Sequence, residues 1–378
     1  MDQSNFQSFI PQDAAAEDWR PITGNFYWDT ETRGRLKFAV KHGSVGSERY
    51  LRDPHTSILL IQWACDGGEV QIWRPGDSIA PLAAAVAQSR RFVAHNIAAF
   101  DHTAWMLHMV PLGLPPIPLE QCSDTAARAR AIGILASLDG AAKILLPPEY
   151  HKASKAIVRR MCQPRHAWPG EDPNELHWVD DAESWAEFIA YAKQDVEVLR
   201  ALDRVLPPLV TSERRVLLCD WIINQRGVGL DGPGIAGCCE RIREGRLAAN
   251  ARLSELTSAA ITSTDQHPKI RQRVNALGVA LADMKAKSLR RELARDDLPT
   301  EARQLLELRL DAAQAAAAKP IRMRAWRCED GRARWTLIYH GATPGRWAGT
   351  GVQFQNVKKP GEDDLNDDDA DDLEDESS

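Results

Sequence analysis

With 378 residues, 44% of them hydrophobic, the chain is long enough for two or three domains with ordinary cores. Its apolar stretches are broken by charges well short of a membrane span, and its N-terminus lacks a basic-then-apolar leader, so a membrane or secretory class is excluded and a soluble, cytoplasmic protein is expected. The net charge of −6 divides unevenly: residues 1–206 carry 21 Lys/Arg against 26 Asp/Glu, residues 207–360 carry 26 against 16, and residues 361–378 carry none against 11.

Residues 1–23 read as an N-terminal extension. From 24 to 206, strand-like and helix-like segments alternate in an α/β manner. A hydrophobic strand covers 25–29; strands at 58–65 and 70–73 form a hairpin through Asp66-Gly67-Gly68; a further strand covers 91–95. Helices follow at 101–109, 124–131, 152–162 and 182–206, the last ended by Pro207-Pro208, which marks a domain boundary. The segment 207–360 is mainly helical, with helices at 209–226, 233–257, 267–277, 286–295 and 300–318, and a hairpin over 326–335 turning at Asp330-Gly331. Its basic excess suits phosphate neutralisation, although most of these arginines fit solvated helix faces equally well. The run 361–378 is expected to be disordered. Seven cysteines without a Cys-x-x-Cys pair, and an adjacent Cys238-Cys239 that could form only a strained bridge, point to reduced thiols and no zinc site.

Four acidic residues carry the chemistry. Strand alternation puts Asp29 and Glu31 on one face, where both can reach one cation. Asp101 opens the helix after the strand at 91–95, and Tyr191 and Asp195 lie four apart on the long helix, which brings the phenol beside the carboxylate. Converging carboxylates suit hard divalent cations, and a pair of such cations can activate water on one side of a phosphodiester while stabilising the leaving oxygen on the other. Taken singly, each motif also fits a solvated strand end or a surface pair. Their order and context together favour a metal-dependent nuclease site.

Asp29-Thr-Glu31, the stretch from Asn96 to Phe100-Asp101, and the stretch from Tyr191 to Asp195 resemble the three motifs of the DEDDy superfamily of 3′-to-5′ exonucleases. The resemblance implies a ribonuclease-H-like domain over 24–206 with two Mg2+ or Mn2+ ions. Asp29, Glu31 and Asp195 would hold the ion that binds the attacking water. Asp29 would bridge to the second ion, Asp101 would complete that ion's shell, and Tyr191 would orient the water. Asn96 and Phe100 are candidate contacts to a single-stranded 3′ end, although Asn96 suits a turn or helix cap as well.

From residue 209 the chain resembles a phage-type family A DNA polymerase of the DNA polymerase I class. The resemblance rests on Trp221 to Val228 with Asp231, on Leu305 to Arg309 leading to Lys319 as a thumb, and on Tyr339 to Ala342, Gly345-Arg346-Trp347 and Gln353-Phe354-Gln355-Asn356 as a primer-contacting segment. Arg346, Gln353, Gln355 and Asn356 are thus candidate contacts to primer-template, although they could also simply close a loop. The family's palm and fingers elements are absent after Asn356. The expectation is therefore a proofreading exonuclease subunit of a split polymerase, partnered by a separate palm-and-fingers chain and unable to polymerise alone. A non-catalytic DNA-binding or assembly subunit, and a stand-alone exoribonuclease of ribonuclease D type, are the alternatives.

Overall fold

The computed structural model describes residues 24–37, 44–151, 155–312, 315–342 and 344–356. The expected N-terminal extension, the first three residues of the helix expected from 152, and the acidic tail lie outside the described residues. About half of the chain is helical, and a mixed five-stranded sheet forms the α/β part.

The sheet is built around β1, Asn25–Arg33, which pairs antiparallel with β2, Ser57–Cys65, and parallel with β4, Arg91–Ala94. β3, Gln71–Trp73, and β5, Cys122–Asp124, complete the order β3-β2-β1-β4-β5, in which only β2 runs against the rest. The expected β2–β3 hairpin is present: Gly68 N–H closes on the Cys65 carbonyl (2.8 Å), and Asp66 adopts a left-handed φ of 42°. The Asp66 carboxylate accepts from the Gly24 and Asn25 N–H groups (2.9 and 3.0 Å), pinning the start of β1 to this turn.

Alternation along β1 separates two chemistries. Phe26 and Trp28 are fully buried and pack with Phe92 and Trp105, with ring centroids 5.6 to 6.4 Å apart. Tyr27 points to the opposite face, where it forms a core with Ala64, Val70 and Val93 and with Val196 and Leu199 of a long helix. Asp29 and Glu31 continue that second row along the strand.

Around the sheet lie α1 (Ser47–Leu51), α2 (Ala80–Gln88), α3 (Thr125–Ala131), α4 (Leu138–Leu145), α5 (Ala156–Cys162), the 24-residue α6 (Ala182–Val205) and α7 (Thr211–Arg226). Asp181 caps α6 by accepting from Ser184 N–H (2.8 Å). α6 crosses the Tyr27 side of the sheet. Phe188 and Ala192 pack with Leu59, Leu60, Ile157 and Met161, and Val198, Ala201 and Leu202 pack with α3 and α4.

The expected helix at 101–109 is wound more widely, as π-type turns at Ala98–His102 and Trp105–Met109, with His102 N–H bonded to the carbonyl five residues back (2.8 Å). The helix expected at 233–257 corresponds to α8 (Gly232–Leu256), and those at 267–277 and 286–295 to α9 (His267–Ala276) and α10 (Ala286–Leu293). The helix expected at 300–318 corresponds to α11 (Thr300–Ala312) and the start of α12 (Ala315–Trp326), with residues 313 and 314 outside the described residues.

Two compact units emerge: the described residues up to Val228 with Arg332–Phe354, and Gly229–Gly331 with Gln355 and Asn356. The units part later than the break expected at Pro207-Pro208. The reason is visible at α7, whose Arg214 donates to the carbonyls of Cys122 (3.4 Å) and Glu120 beside β5. The returning segment carries a short antiparallel pair, β6 (Leu337–Ile338) with β7 (Ala348–Gly349), and is held by side chains. Asn224 brackets Leu337 (3.1 and 3.0 Å), Tyr339 donates to Glu213 (2.6 Å), and Trp335 donates to Glu48 (3.2 Å). The hairpin expected over 326–335 does not form. Helix α12 continues through Trp326, and a tight turn follows in which Gly331 N–H bonds to the Cys328 carbonyl (3.0 Å). The second unit has its own core of Leu253, Ile270, Val274, Leu289, Leu305 and Leu306. All seven cysteines are free, and no helix among the described residues is long and apolar enough to cross a membrane.

A buried ion cluster fixes α6 on the sheet. Asp203 accepts from Arg91 (2.7 and 2.8 Å), from Arg128 and from the Tyr27 hydroxyl (3.0 Å). Burial pushes the Asp203 carboxyl up, but the hydrogen bonds and charges of Arg91 and Arg128 win and hold it below the usual carboxylate range. Its contribution to stability is therefore present above about pH 4 and lost as pH falls through the lower folded value. Asp203→Ala strands two arginines and is expected to cost about 3–5 kcal/mol at pH 7 by urea unfolding. The deficit should shrink toward pH 3.

Candidate metal centre

Asp29, Glu31 and Asp195 each present a carboxylate oxygen such that all three lie within 4.8 Å of one another. Two come from adjacent same-face positions of β1 and the third from the middle of α6, so the cluster exists only because the helix crosses the strand here. Asp29 and Glu31 are partly exposed and Asp195 is buried, which leaves the cluster open on one side. An all-oxygen set of this compactness fits a hard divalent cation.

Asp101 lies in the first π-type turn and is 1% exposed, with no hydrogen-bond partner at Oδ1. Burial, and after it the negative charge of Asp29, pushes its carboxyl well above the usual range. A buried carboxyl with an unpartnered oxygen beside other acids is what a second cation would relieve, so the residues present fit the implied pair of ions. Tyr191, one turn before Asp195, is partly buried. Burial first, then the charge of Glu31, drives its pKa above the ordinary phenol value, so the hydroxyl keeps its proton.

Two neighbours were not singled out from the sequence. Gln62, fully buried and directly opposite Asp29 on β2, donates from Nε2 to Asp29 Oδ2. Its signal is an amide inside the otherwise apolar run Ile58 to Cys65. The Cys162 thiol, at the end of α5, lies 3.7 Å from Glu31 Oε2; burial and then Glu31 push it up, so it stays protonated. Nothing in its sequence context marks it.

Asn96 follows β4 in a left-handed conformation, φ 64°, with an exposed side chain, and its N–H donates to Asp124 Oδ1 (2.9 Å). The turn role is thus observed at Asn96, while Asp124 caps α3. Phe100 is partly buried and stacked on Tyr50 at 6.4 Å. Arg346 is exposed in the loop between β6 and β7. Gln353 is partly buried with a φ of 51°. Gln355 and Asn356 are exposed and fall in the second unit, so the four amide and arginine candidates do not share one unit.

No family model matches the chain. It is 30% identical over 327 residues to the DNA polymerase of Bacillus phage SP02, an alignment that takes in 83% of this chain and 48% of that protein. The chain thus spans about half the length of the curated relative it matches. Among solved structures, the POL domain of Pol1 from M. smegmatis, in complex with DNA primer-template and dNTP, superposes with a TM-score of 0.47 at 13% identity, over 96% of this chain and 56% of its own. Sequence relationship to a phage DNA polymerase therefore runs through most of the chain.

Beside Arg346, Trp347 donates from Nε1 to Asp220 Oδ1 (2.7 Å), and Asn224 donates to Oδ2 (3.2 Å). Burial outweighs both bonds and raises the Asp220 carboxyl to about 6. Because the folded value exceeds the unfolded one, protonation of Asp220 favours the fold below about pH 4, and that contribution is lost as pH rises through about 6. The stability difference between wild type and Asp220→Asn is expected to shift by up to about 3 kcal/mol between pH 4 and 7. Paired urea titrations across that range measure it.

Proposed function

We propose that the chain is a metal-dependent 3′-to-5′ exonuclease acting on DNA, of the DEDDy type, and that it serves proofreading in a phage-type polymerase. The observation that carries this reading is the convergence of Asp29, Glu31 and Asp195 to within 4.8 Å, with a buried Asp101 that feels the charge of Asp29. The sheet order with a single reversed strand, and β1 at its centre bearing two of the acids, supports a ribonuclease-H-like domain. The name of the phage relative supports DNA over RNA.

In this mechanism Asp29, Glu31 and Asp195 would hold one divalent cation, and Asp29 with Asp101 a second. Such ions, Mg2+ or Mn2+, supply Lewis-acid activation of water and charge stabilisation at a phosphodiester. The protein contributes position. Gln62 holds one oxygen of Asp29 from the side, which fixes the carboxylate without adding a charge. The Tyr191 hydroxyl can donate a hydrogen bond that orients the attacking water. Asn96 and Phe100, beyond the C-terminal end of β4, would steady the terminal nucleotides, and Arg346, Gln353, Gln355 and Asn356 would contact primer-template.

Asp29→Ala and Asp195→Ala are each expected to lower hydrolysis of a labelled single-stranded oligonucleotide by several orders of magnitude, and EDTA to abolish it, with Tyr191→Phe milder because it removes only a hydroxyl. Unchanged turnover in Asp29→Ala would defeat the assignment. A matched RNA substrate separates this reading from a ribonuclease.

A further inference from the structure

We propose that the loop 163–181, together with Arg33, forms a stacking ledge for the single-stranded DNA that leads to the carboxylate cluster, with Trp168 as its exposed platform. The inference rests on the nuclease reading above and names residues outside the three acidic motifs.

The loop is stiff despite its lack of regular structure. Arg165 and His177 pinch it in an antiparallel bridge, with Arg165 N–H on the His177 carbonyl (2.8 Å). Within the pinch, the Arg165 guanidinium makes two 2.6 Å bonds to Glu171 and one to the Trp178 carbonyl (3.2 Å). Glu171 also accepts from Trp168 N–H (2.7 Å), and Asp172 organises the next turn through Asn174 N–H (2.8 Å). The Arg165 hydrogen bonds hold the Glu171 carboxyl down to about 2, so this frame persists across working pH.

What the frame presents is an indole. Trp168 is 61% exposed, and the Arg165 guanidinium lies over its ring at 3.5 Å. Ordering a large aromatic side chain in solvent gains little for the fold, because most of its apolar area stays wet. An exposed indole held in this way suits a nucleobase, which stacks on an aromatic face.

A second such pair links the loop to the cluster. Arg33 lies over Trp178 at 5.1 Å, and Arg33 is the next same-face residue after Glu31 on β1. A third pair, Arg74 over Trp185 at 3.8 Å, flanks the start of α6. Three Arg–Trp pairs thus lie in or beside this one loop. The loop itself carries Arg165 against Glu171, Asp172, Glu175, Asp180 and Asp181, so what it offers a strand is aromatic area rather than net positive charge. A strand whose end is drawn to the metal centre would thus be held upstream by stacking on flat aromatic surface.

The test uses the full chain carrying Asp29→Ala, in EDTA, so that DNA is bound but not cut. Anisotropy titrations of labelled oligo(dT) compare this background with added Trp168→Ala or Trp168→Phe, and circular dichroism verifies the fold. Trp168→Ala is expected to weaken binding roughly 5- to 100-fold, and Trp168→Phe to retain most of the affinity. Moving one abasic site along the oligonucleotide should reveal one position whose loss costs the protein with Trp168 that same factor and costs Trp168→Ala nothing. Equal affinity with and without the Trp168→Ala change, or identical abasic profiles, would overturn the ledge. These readouts are independent of hydrolysis: failure of Asp29→Ala to reduce cutting in otherwise unaltered protein would defeat the nuclease reading, whereas neutral Trp168 variants alongside Asp29-dependent cutting would defeat only the ledge.

Discussion

The register between α6 and β1 is the constraint on which the candidate site depends, and Asp203 sets it. Tyr27 and Glu31 are four residues apart on one face of β1, a span of about 13 Å. Asp203 and Asp195 are eight residues apart on α6, a span of about 12 Å. Anchoring Tyr27 to Asp203 at one end therefore brings Asp195 level with Asp29 and Glu31 at the other. A slip of one helical residue would rotate Asp195 by about 100° away from the strand. Arg91 from β4 and Arg128 from α3 lock the anchor from two further elements, and Val196 and Leu199 fill the space between the two ends.

Beyond the anchor, the structure accepts an electrostatic penalty. Three carboxylates within 4.8 Å, with a fourth buried beside them, repel one another, and the rise at Asp101 is in part the local expression of that repulsion. A sequence selected for stability alone would have placed a lysine or an apolar residue among them. Instead the immediate neighbours are a neutral amide, a protonated thiol and a protonated phenol, each able to sit against an acid without cancelling its charge. Such a concentration of like charge at one place is what a divalent cation would offset.

Much of this was legible in the residues. Alternation alone put Asp29 and Glu31 on one face, and the strands at 25–29, 58–65, 70–73 and 91–95 and the helices at 124–131, 152–162 and 182–206 lie within about four residues of where hydrophobic pattern and Pro207-Pro208 put them, whereas Ser47–Leu51, Ala80–Gln88, Cys122–Asp124 and Leu138–Leu145 were not expected. Less legible were features decided by tertiary contacts. Nothing local in Ala98–His102 announces a π-type turn, because the choice between four- and five-residue spacing is made by how Asp101 and His102 bury. The hairpin expected around Asp330-Gly331 rested on a sound turn signal, and the turn is there, but helix propensity through Ala325 and Trp326 claimed one of its arms. The compact units depart from the proline break because Arg214 and Asn224 reach across to backbone carbonyls that sequence spacing cannot pair.

The division into units separates chemistry from the helical excursion. Asp29, Glu31, Asp101, Tyr191 and Asp195 all lie in the first unit, as do Trp168 and Arg33, so every group proposed to act on a 3′ end is carried by one core. That core is itself discontinuous. Arg332–Phe354 returns to it after about a hundred residues and is stapled to α7 through Asn224 and Glu213 and to α1 through Glu48. The second unit is closed off by its own leucine-rich core, so the excursion can fold around its own helices while the returning strand pair completes the first unit. Damage to Val274 or Leu305 therefore acts first on the excursion, whereas damage to Asn224 or Tyr339 reaches the unit that carries the acids, even though those two residues lie far from the acids in sequence.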